Sequence, residues 1–148
     1  MMEHSTSDLP TQWLQALQND GCRITHARRA IVNLLIQSDR ALGPIEIYDL
    51  ARKEYSALGL VTVYRTLEKL EELGLIQRVH MPDGCHRYLK SAQGHEHLLL
   101  CTKCGKTVTF RGDDLNQLNL NVSQKTGFVI QDHWLQLFGL CPKCQGNT

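Results

Sequence analysis

The sequence contains no stretch of 18 consecutive apolar residues, so it predicts no helix that crosses a membrane. Its first ten residues hold neither a basic segment nor an apolar core, which makes a signal peptide unexpected and the cytoplasm the expected compartment. Charge of either sign is nearly balanced: the formal net charge is +1. Nucleic-acid binding must therefore be judged from local patterns and not from composition.

Catalytic patterns are also missing. The sequence shows no Gly-rich phosphate loop, no paired carboxylates and no evident nucleophile–base pair, so we expect neither an enzyme nor a small organic substrate. Six cysteines are present, four of them in two C-x-x-C pairs. In a reducing compartment such pairs indicate metal or redox chemistry more than disulfide bonds.

Residues 1–84 have the pattern of a winged helix-turn-helix domain. Apolar residues recur at helical spacing in successive segments, and the clearest segment, residues 59–74, places Val63, Leu67 and Leu70 on one face. Two apolar segments around Pro82-Asp83-Gly84 then predict a hairpin. A plain helical domain with a hairpin would show the same periodicity, so this pattern alone leaves DNA binding open.

Several polar and basic side chains fall away from the predicted helical core. In a winged helix the last helix enters the major groove by its N-terminal residues, and basic side chains nearby contact phosphates. A solvated helix end is the alternative for the basic group near Thr25, which is itself a candidate helix cap. The candidate DNA-contacting residues are Arg23, Thr25, Arg28, Arg29, Thr62, Tyr64, Arg65 and Lys69.

The two C-x-x-C pairs are the most specific motif of the chain. Cys101 and Cys104 form the first pair, and Cys141 and Cys144 form the second. Four thiolates at this spacing predict a closed tetrahedral zinc site that ties the end of the chain to an earlier strand. Redox disulfides or separate thiols are the alternatives.

Histidines and a further cysteine crowd the segment between the two halves. His95 and His97 point the same way if they lie on a strand, and His80 and Cys85 flank the predicted hairpin turn. These four residues form the candidate regulatory metal site, while His86 alternates to the other face from Cys85. A third site is proposed from a separate set, namely Glu96, Asp114 and His133.

After residue 94 the pattern changes to short strands with one helix, so the second half is α+β. The resulting division is 1–84 for the winged helix, 85–94 for a hinge and 95–148 for the metal-binding domain. One strand is predicted over residues 128–140. A helix carrying Leu115, Leu118 and Val122 is predicted to begin at Asp113 or Asp114 and to end at Gly127.

From about Leu9 to Cys144 the chain resembles the ferric uptake regulator family. The matching segments are GCRIT with Arg28, TVYRTL from Thr62, GLI from Gly74, the H-x-H of His95 and His97, CTKCGK and the closing Cys-Pro-x-Cys. The resemblance implies a homodimeric repressor of palindromic operators in double-stranded DNA. It also implies an α+β fold in which a winged helix-turn-helix domain precedes a small α/β dimerisation domain with a four-cysteine zinc site.

Departures from the family pattern bear on the regulatory metal. Iron- and peroxide-sensing members use a histidine where this chain has Ala41-Leu42, and carboxylates where it has Leu89 and Thr109. The loss of hard oxygen ligands and the presence of Cys85 resemble the zinc uptake regulator branch, since softer ligands favour Zn²⁺ over Fe²⁺ or Mn²⁺. An iron- or peroxide-sensing repressor is the first alternative, and a zinc-containing thiol oxidoreductase is the second.

Overall fold

The computed structural model describes residues 8–91, 96–111 and 115–146. The chain divides after Ser91 into two compact units. The first unit contains the helices and a hairpin, and the second contains the C-x-x-C pairs. Among the helices of these residues, none has the length and apolar content needed to cross a bilayer.

Four helices form most of the first unit, and they begin and end close to the sequence signals. The Thr25 hydroxyl caps the second helix by accepting a hydrogen bond from the backbone N–H of Arg28 at 3.2 Å. The fourth helix is followed by a turn through Gly74 at φ 74°, a backbone conformation that favours glycine. The helices are α1 Leu9–Asn19, α2 His26–Gln37, α3 Pro44–Ala51 and α4 Leu60–Glu72.

The apolar stripes of these helices face one another and form the core of the first unit. Leu17, Ile31, Ile47 and Leu67, one from each helix, are all fully buried. Complete burial of such a side chain contributes about 1.5–3 kcal/mol. The apolar face predicted for α4 is confirmed, and its opposite face is left free for other contacts.

A hairpin closes the first unit. β1 Ile76–His80 pairs antiparallel with β2 His86–Lys90, and the turn between them passes through Gly84 at φ 87°. The backbones of Leu42 and Tyr88 exchange hydrogen bonds of 2.9 and 2.8 Å, which tie the hairpin to the segment between α2 and α3. Four helices followed by this hairpin are the winged-helix arrangement that the sequence predicts.

The described residues of the second unit form a three-stranded sheet and two helices. Its elements are β3 Glu96–Cys101, β4 Thr107–Arg111, α5 Leu115–Thr126, β5 Gln136–Gly139 and α6 Pro142–Gln145. The central strand β3 is antiparallel to β4 and parallel to β5. Because Cys101 is paired with Gly139 at the C-terminal ends of two parallel strands, both C-x-x-C segments lie at the same end of the sheet.

Two predictions differ from the structure. The first unit extends to Ser91 and not to residue 84, since residues 86–90, assigned to a hinge, are the paired strand β2. The strand predicted over residues 128–140 is only Gln136–Gly139, the part that pairs with β3. The predicted helix α5 is present, and its Leu118 and Val122 are 55% and 41% exposed within the chain.

Candidate functional site

The four cysteines of the C-x-x-C pairs come together at the edge of the second unit. Their sulfur atoms all lie within 4.8 Å of one another, and the Sγ atoms of Cys104 and Cys141 are 3.7 Å apart. Cys101 ends β3 and is buried, while the other three are half-buried. The backbone N–H of Cys141 donates to the sulfur of Cys101 at 3.4 Å, so the two knuckles hold each other in place.

This geometry fits a tetrahedral zinc ion. Zinc–sulfur bonds are about 2.3 Å long, which sets the separation of neighbouring sulfurs in a tetrahedron at about 3.8 Å. The Cys104–Cys141 separation matches that value. The predicted grouping of Cys101, Cys104, Cys141 and Cys144 is therefore present, and this four-cysteine cluster can hold a zinc ion.

The electrostatics of the cluster favour thiolates at two positions. Backbone N–H groups of Cys104 and Cys141 donate to Cys101 and lower the pKa of its thiol to about 6. The pKa of Cys141 is also lowered, first by the backbone N–H of Cys144. The Cys144 thiol interacts with the sulfur of Cys141 and is partly desolvated, which raises its pKa to about 12. Metal binding at such a cluster releases the remaining protons.

The H-x-H strand places one histidine in the interior of the second unit. His97 is 5% exposed, and its ring centroid lies 5.6 Å from that of Phe110 and 5.4 Å from that of His133. Glu96, the preceding strand residue, alternates to the other face. His133 therefore lies beside His97, and the grouping of Glu96 with His133 stays a prediction. His95 and Asp114 lie outside the described residues.

The hairpin pairs one residue of the predicted regulatory site with a histidine outside that set. His80 and His86 are direct cross-strand partners whose ring centroids are 4.4 Å apart. Cys85 precedes His86 and therefore alternates to the opposite face of the hairpin, where it is exposed. The structure thus brings His80 together with His86, and the sharing of a metal by His80 and Cys85 stays a prediction. The register about the turn could have revealed this pair in the sequence.

The N-terminal part of α4 presents the predicted DNA-contacting side chains. Tyr64 is 48% exposed, Arg65 is exposed and Thr62 is half-buried. Val61, which the sequence analysis did not single out, is 62% exposed on the same helical turn. In DNA recognition, exposed apolar side chains are the groups that contact thymine methyl groups.

The start of α2 carries the other basic candidates. Arg23 and Arg29 are exposed. The guanidinium of Arg28 donates to the backbone carbonyl of Arg23, so it is half-buried and held near the helix start. Thr25 is used as the helix cap, as its sequence position predicts.

Lys69 differs from the other candidates because it is already paired within the first unit. Its Nζ lies 2.9 Å from carboxylate oxygens of both Asp20 and Glu72. The hydrogen bond to Glu72, followed by that to Asp20, raises the pKa of Lys69. A DNA contact by Lys69 would have to compete with these two ion pairs.

Together the two units define a class of protein: a winged-helix domain with an exposed helix end, joined to a small α+β domain that can hold a metal through four cysteines. The family model for the ferric uptake regulator family matches residues 19–138. The peroxide-responsive repressor PerR of Staphylococcus saprophyticus is 30% identical over 144 residues, which cover 97% of this chain and 94% of that protein. The ferric uptake regulation protein of Legionella pneumophila is 34% identical over 134 residues, covering 88% and 97%.

Two solved structures have the same fold. The Helicobacter pylori ferric uptake regulator Fur, described with three functional metal-binding sites, superposes with a TM-score of 0.74 at 23% identity over 97% of each chain. A zinc uptake regulator in complex with zinc and DNA gives a TM-score of 0.69 at 21% identity, again over 97% of each chain. The chain belongs to the ferric uptake regulator family and is a metal-responsive regulator of that family. The predicted family and α+β fold are confirmed.

Proposed function

We propose that the protein is a transcriptional repressor that binds operator DNA as a homodimer when its regulatory site is loaded, that it senses zinc, and that it controls zinc uptake genes. The observation that carries this proposal is that the N-terminal end of α4 is exposed in a chain that belongs to a family of metal-responsive regulators. Such a repressor would act on DNA in the cytoplasm.

The role of α4 in reading DNA is supported by how its two faces differ. Val63, Leu67 and Leu70 are buried and fix the helix on the core, so the opposite face cannot rotate inward. Tyr64 and Arg65 then project from the first turns, where a recognition helix contacts base edges and phosphates. Arg23 and Arg29 at the start of α2 would supply further phosphate contacts.

We propose that a second copy of the chain packs against the exposed apolar residues of the second unit. No residue of α5 is buried, and β5 leaves Leu137 and Phe138 44% and 38% exposed. Obligate interfaces are more apolar than the rest of a protein surface, so exposed apolar side chains in this number support a second chain as their cover. The exposed apolar residues of the unit are Leu99, Val108, Leu118, Leu120, Val122, Phe128, Val129, Trp134, Leu137, Phe138 and Leu140.

Two kinds of metal site are proposed. The four-cysteine cluster would hold a structural Zn²⁺, which supplies the cross-link between the ends of β3 and β5. The regulatory site would draw its ligands from His80, Cys85, His95 and His97, a nitrogen and sulfur set suited to Zn²⁺ more than to Fe²⁺ or Mn²⁺. Because these residues come from both units, a loaded site would couple the metal concentration to the placement of the winged helices.

A third metal site is also proposed for the second unit. The sequence suggests Glu96, Asp114 and His133 as ligands. The proximity of the His97 and His133 rings supports a site that includes His133 and places His97 beside it. Removal of His133 would then change the metal stoichiometry without changing the winged helix.

An iron- or peroxide-sensing repressor is the rival function. It is favoured by relatives, since a peroxide-responsive repressor and several ferric uptake regulation proteins are about equally similar to this chain. Against it stand Ala41, Leu42, Leu89 and Thr109 at positions where those sensors carry metal ligands. A thiol oxidoreductase, by contrast, gains no support from the relatives, which are regulators.

DNA binding measured at buffered metal concentrations tests the proposal. The protein, with its four-cysteine cluster loaded, is titrated into labelled operator-containing DNA at fixed free Zn²⁺, Fe²⁺ or Mn²⁺, with DNA fragments first selected from the genome by the protein itself. Tight binding that follows free Zn²⁺ supports zinc sensing. Binding that follows Fe²⁺, or is lost on peroxide treatment, supports the rival.

Variants of the proposed ligands sharpen the same experiment. Cys85→Ser and His95→Ala should shift the response to higher free zinc, because each removes one ligand from the regulatory site. His26→Ala is the matched control, since it removes an exposed imidazole that is outside every proposed ligand set. If both ligand variants respond to zinc as the parent does, the regulatory site as proposed is refuted.

A further inference from the structure

The wing hairpin carries a pair of histidines that no proposed site uses as a pair. His80 ends β1 and His86 begins β2, and their rings lie with centroids 4.4 Å apart at an interplanar angle of 80°. Both side chains are exposed. Within residues 8–91 neither imidazole has a hydrogen bond or an ion pair that would occupy its nitrogens.

The hairpin register fixes this contact. The backbone N–H of Met81 donates to the carbonyl oxygen of Cys85 at 2.8 Å, so these two residues form a hydrogen-bonded position of the ladder. Hydrogen-bonded and non-hydrogen-bonded positions alternate in an antiparallel pair, which makes His80 and His86 a non-hydrogen-bonded pair. Side chains at such positions approach most closely and project from the same face of the sheet.

The rest of the hairpin holds the pair in place. Arg78 and Tyr88 form the next cross-strand pair on the same face as the histidines. The Arg78 guanidinium lies 5.7 Å from the centre of the Tyr88 ring, and its Nη2 lies 3.0 Å from a carboxylate oxygen of Glu71. Tyr88 is buried and bonded through its backbone to Leu42. The two strands are thus anchored to the helices just behind the histidines, so the separation of the imidazoles is set by the fold.

We propose that His80 and His86 chelate a divalent transition metal on the wing, at a site separate from the four-cysteine cluster that shares only His80 with the proposed regulatory site. Metal–nitrogen bonds of about 2.0–2.1 Å place two imidazole nitrogens in one coordination sphere roughly 3.3 Å apart, a spacing that neighbouring rings at this separation reach by rotation of their side chains. Imidazole is a ligand for Zn²⁺, Ni²⁺ and Cu²⁺, and water would fill the remaining positions. Cys85 points to the other face and is not a ligand of this site.

A bound cation at this place would add positive charge to the wing. A winged helix brings its wing close to the DNA backbone, and each additional contact with a phosphate increases both affinity and its dependence on salt. Occupancy of the wing site would therefore raise DNA affinity without changing which sequence is bound. This goes beyond the proposed regulatory site, in which His86 has no part, although His80 is a candidate for both.

The test uses Ni²⁺ as the probe on the full chain with its four-cysteine cluster already loaded with zinc. We expect His86→Ala to weaken one class of Ni²⁺ binding by at least about tenfold, the loss produced by removing even an outer-shell partner of a metal ligand. His80→Ala should give the same loss. The control His26→Ala removes an exposed imidazole outside the pair and should bind Ni²⁺ as the parent does. Isothermal titration calorimetry measures the affinities and stoichiometry.

A second measurement on the parent protein avoids dependence on how the variants fold. Substoichiometric Ni²⁺ should broaden the imidazole NMR signals of His80 and His86 together, because both rings would contact the same paramagnetic ion. Equal Ni²⁺ binding by His86→Ala and the parent would overturn the proposal. Broadening of His80 with a sharp His86 signal would do so as well.

The outcome is separable from that of the proposed function. His86→Ala should keep its zinc-dependent switch between free and DNA-bound states, because His86 is not a regulatory ligand. If the parent shows no metal-dependent DNA binding, the proposed function fails while paired broadening of His80 and His86 still supports the wing site.

Discussion

Loss of one ligand from the four-cysteine cluster should unfold the second unit while the first unit stays folded. The perturbation is Cys141→Ser, which removes the sulfur 3.7 Å from that of Cys104 and leaves three ligands. The control is Cys85→Ser, the same change at an exposed thiol of the first unit. The expectation follows from how little of the second unit is buried.

The magnitudes can be compared directly. Leu98 and Leu100 are the fully buried large apolar side chains among the described residues of the second unit, and together they contribute about 3–6 kcal/mol. Ordering the backbone costs about 1–2 kcal/mol per residue, so the strand residues alone oppose folding by several times that contribution. A structural zinc ion supplies about 10–16 kcal/mol in small domains. Without it, the hydrogen bonds of the sheet and a partner's contacts should not keep the unit ordered.

Hydrogen exchange followed by mass spectrometry measures the effect segment by segment. In Cys141→Ser, amides of β3, β4 and β5 should lose most of their protection, while those of α2 and α4 keep theirs. In Cys85→Ser, amides of β3, β4 and β5 should exchange as in the parent, because Cys85 is not a ligand of the four-cysteine cluster. Full protection of β3 in Cys141→Ser would refute the argument that zinc, and not apolar burial, stabilises this unit.

Three further outcomes are expected for the first unit. Arg65→Ala should weaken DNA binding and lower the magnitude of the slope of log affinity against log salt concentration by about 1. Lys106→Ala, which removes an exposed lysine of the second unit, should leave the slope unchanged. Equal slopes for the two variants would argue against a phosphate contact at Arg65. Leu70→Ala, at a fully buried position of α4, should cost about 2–5 kcal/mol in urea unfolding, and an unchanged midpoint would contradict the described core. Thr25→Ala should cost about 0.5–2 kcal/mol through loss of the α2 cap, whereas Thr25→Ser, which keeps the hydroxyl, should stay close to the parent.

Placement of the metal ligands shows what local sequence could and could not predict. The four-cysteine cluster was predictable because each C-x-x-C pair is a local feature that binds a metal with little help from distant residues. The contact between His97 and His133 was not predictable in the same way, since it depends on β3, on the path of residues 127–135 and on the parallel pairing with β5. Periodicity assigned Glu96 and His97 to opposite faces of a strand, but it could not say which face would meet His133.

Burial in the second unit also shows what a sequence pattern cannot predict. The spacing of Leu118 and Val122 predicts an apolar face on α5, and the face exists, but within one chain it remains exposed. Helical periodicity reports that a surface is apolar and carries no information about whether the chain itself or a second chain covers it.

By itself, the sequence determined the helices of the winged domain, the cap at Thr25, the glycine turns and the thiol set for zinc, because each depends on residues within one or two turns of one another. The tertiary structure alone decided that His133 lies beside His97 and that Lys69 is held by Asp20 and Glu72. These contacts depend on strand register and on the packing of distant segments, which no local pattern encodes.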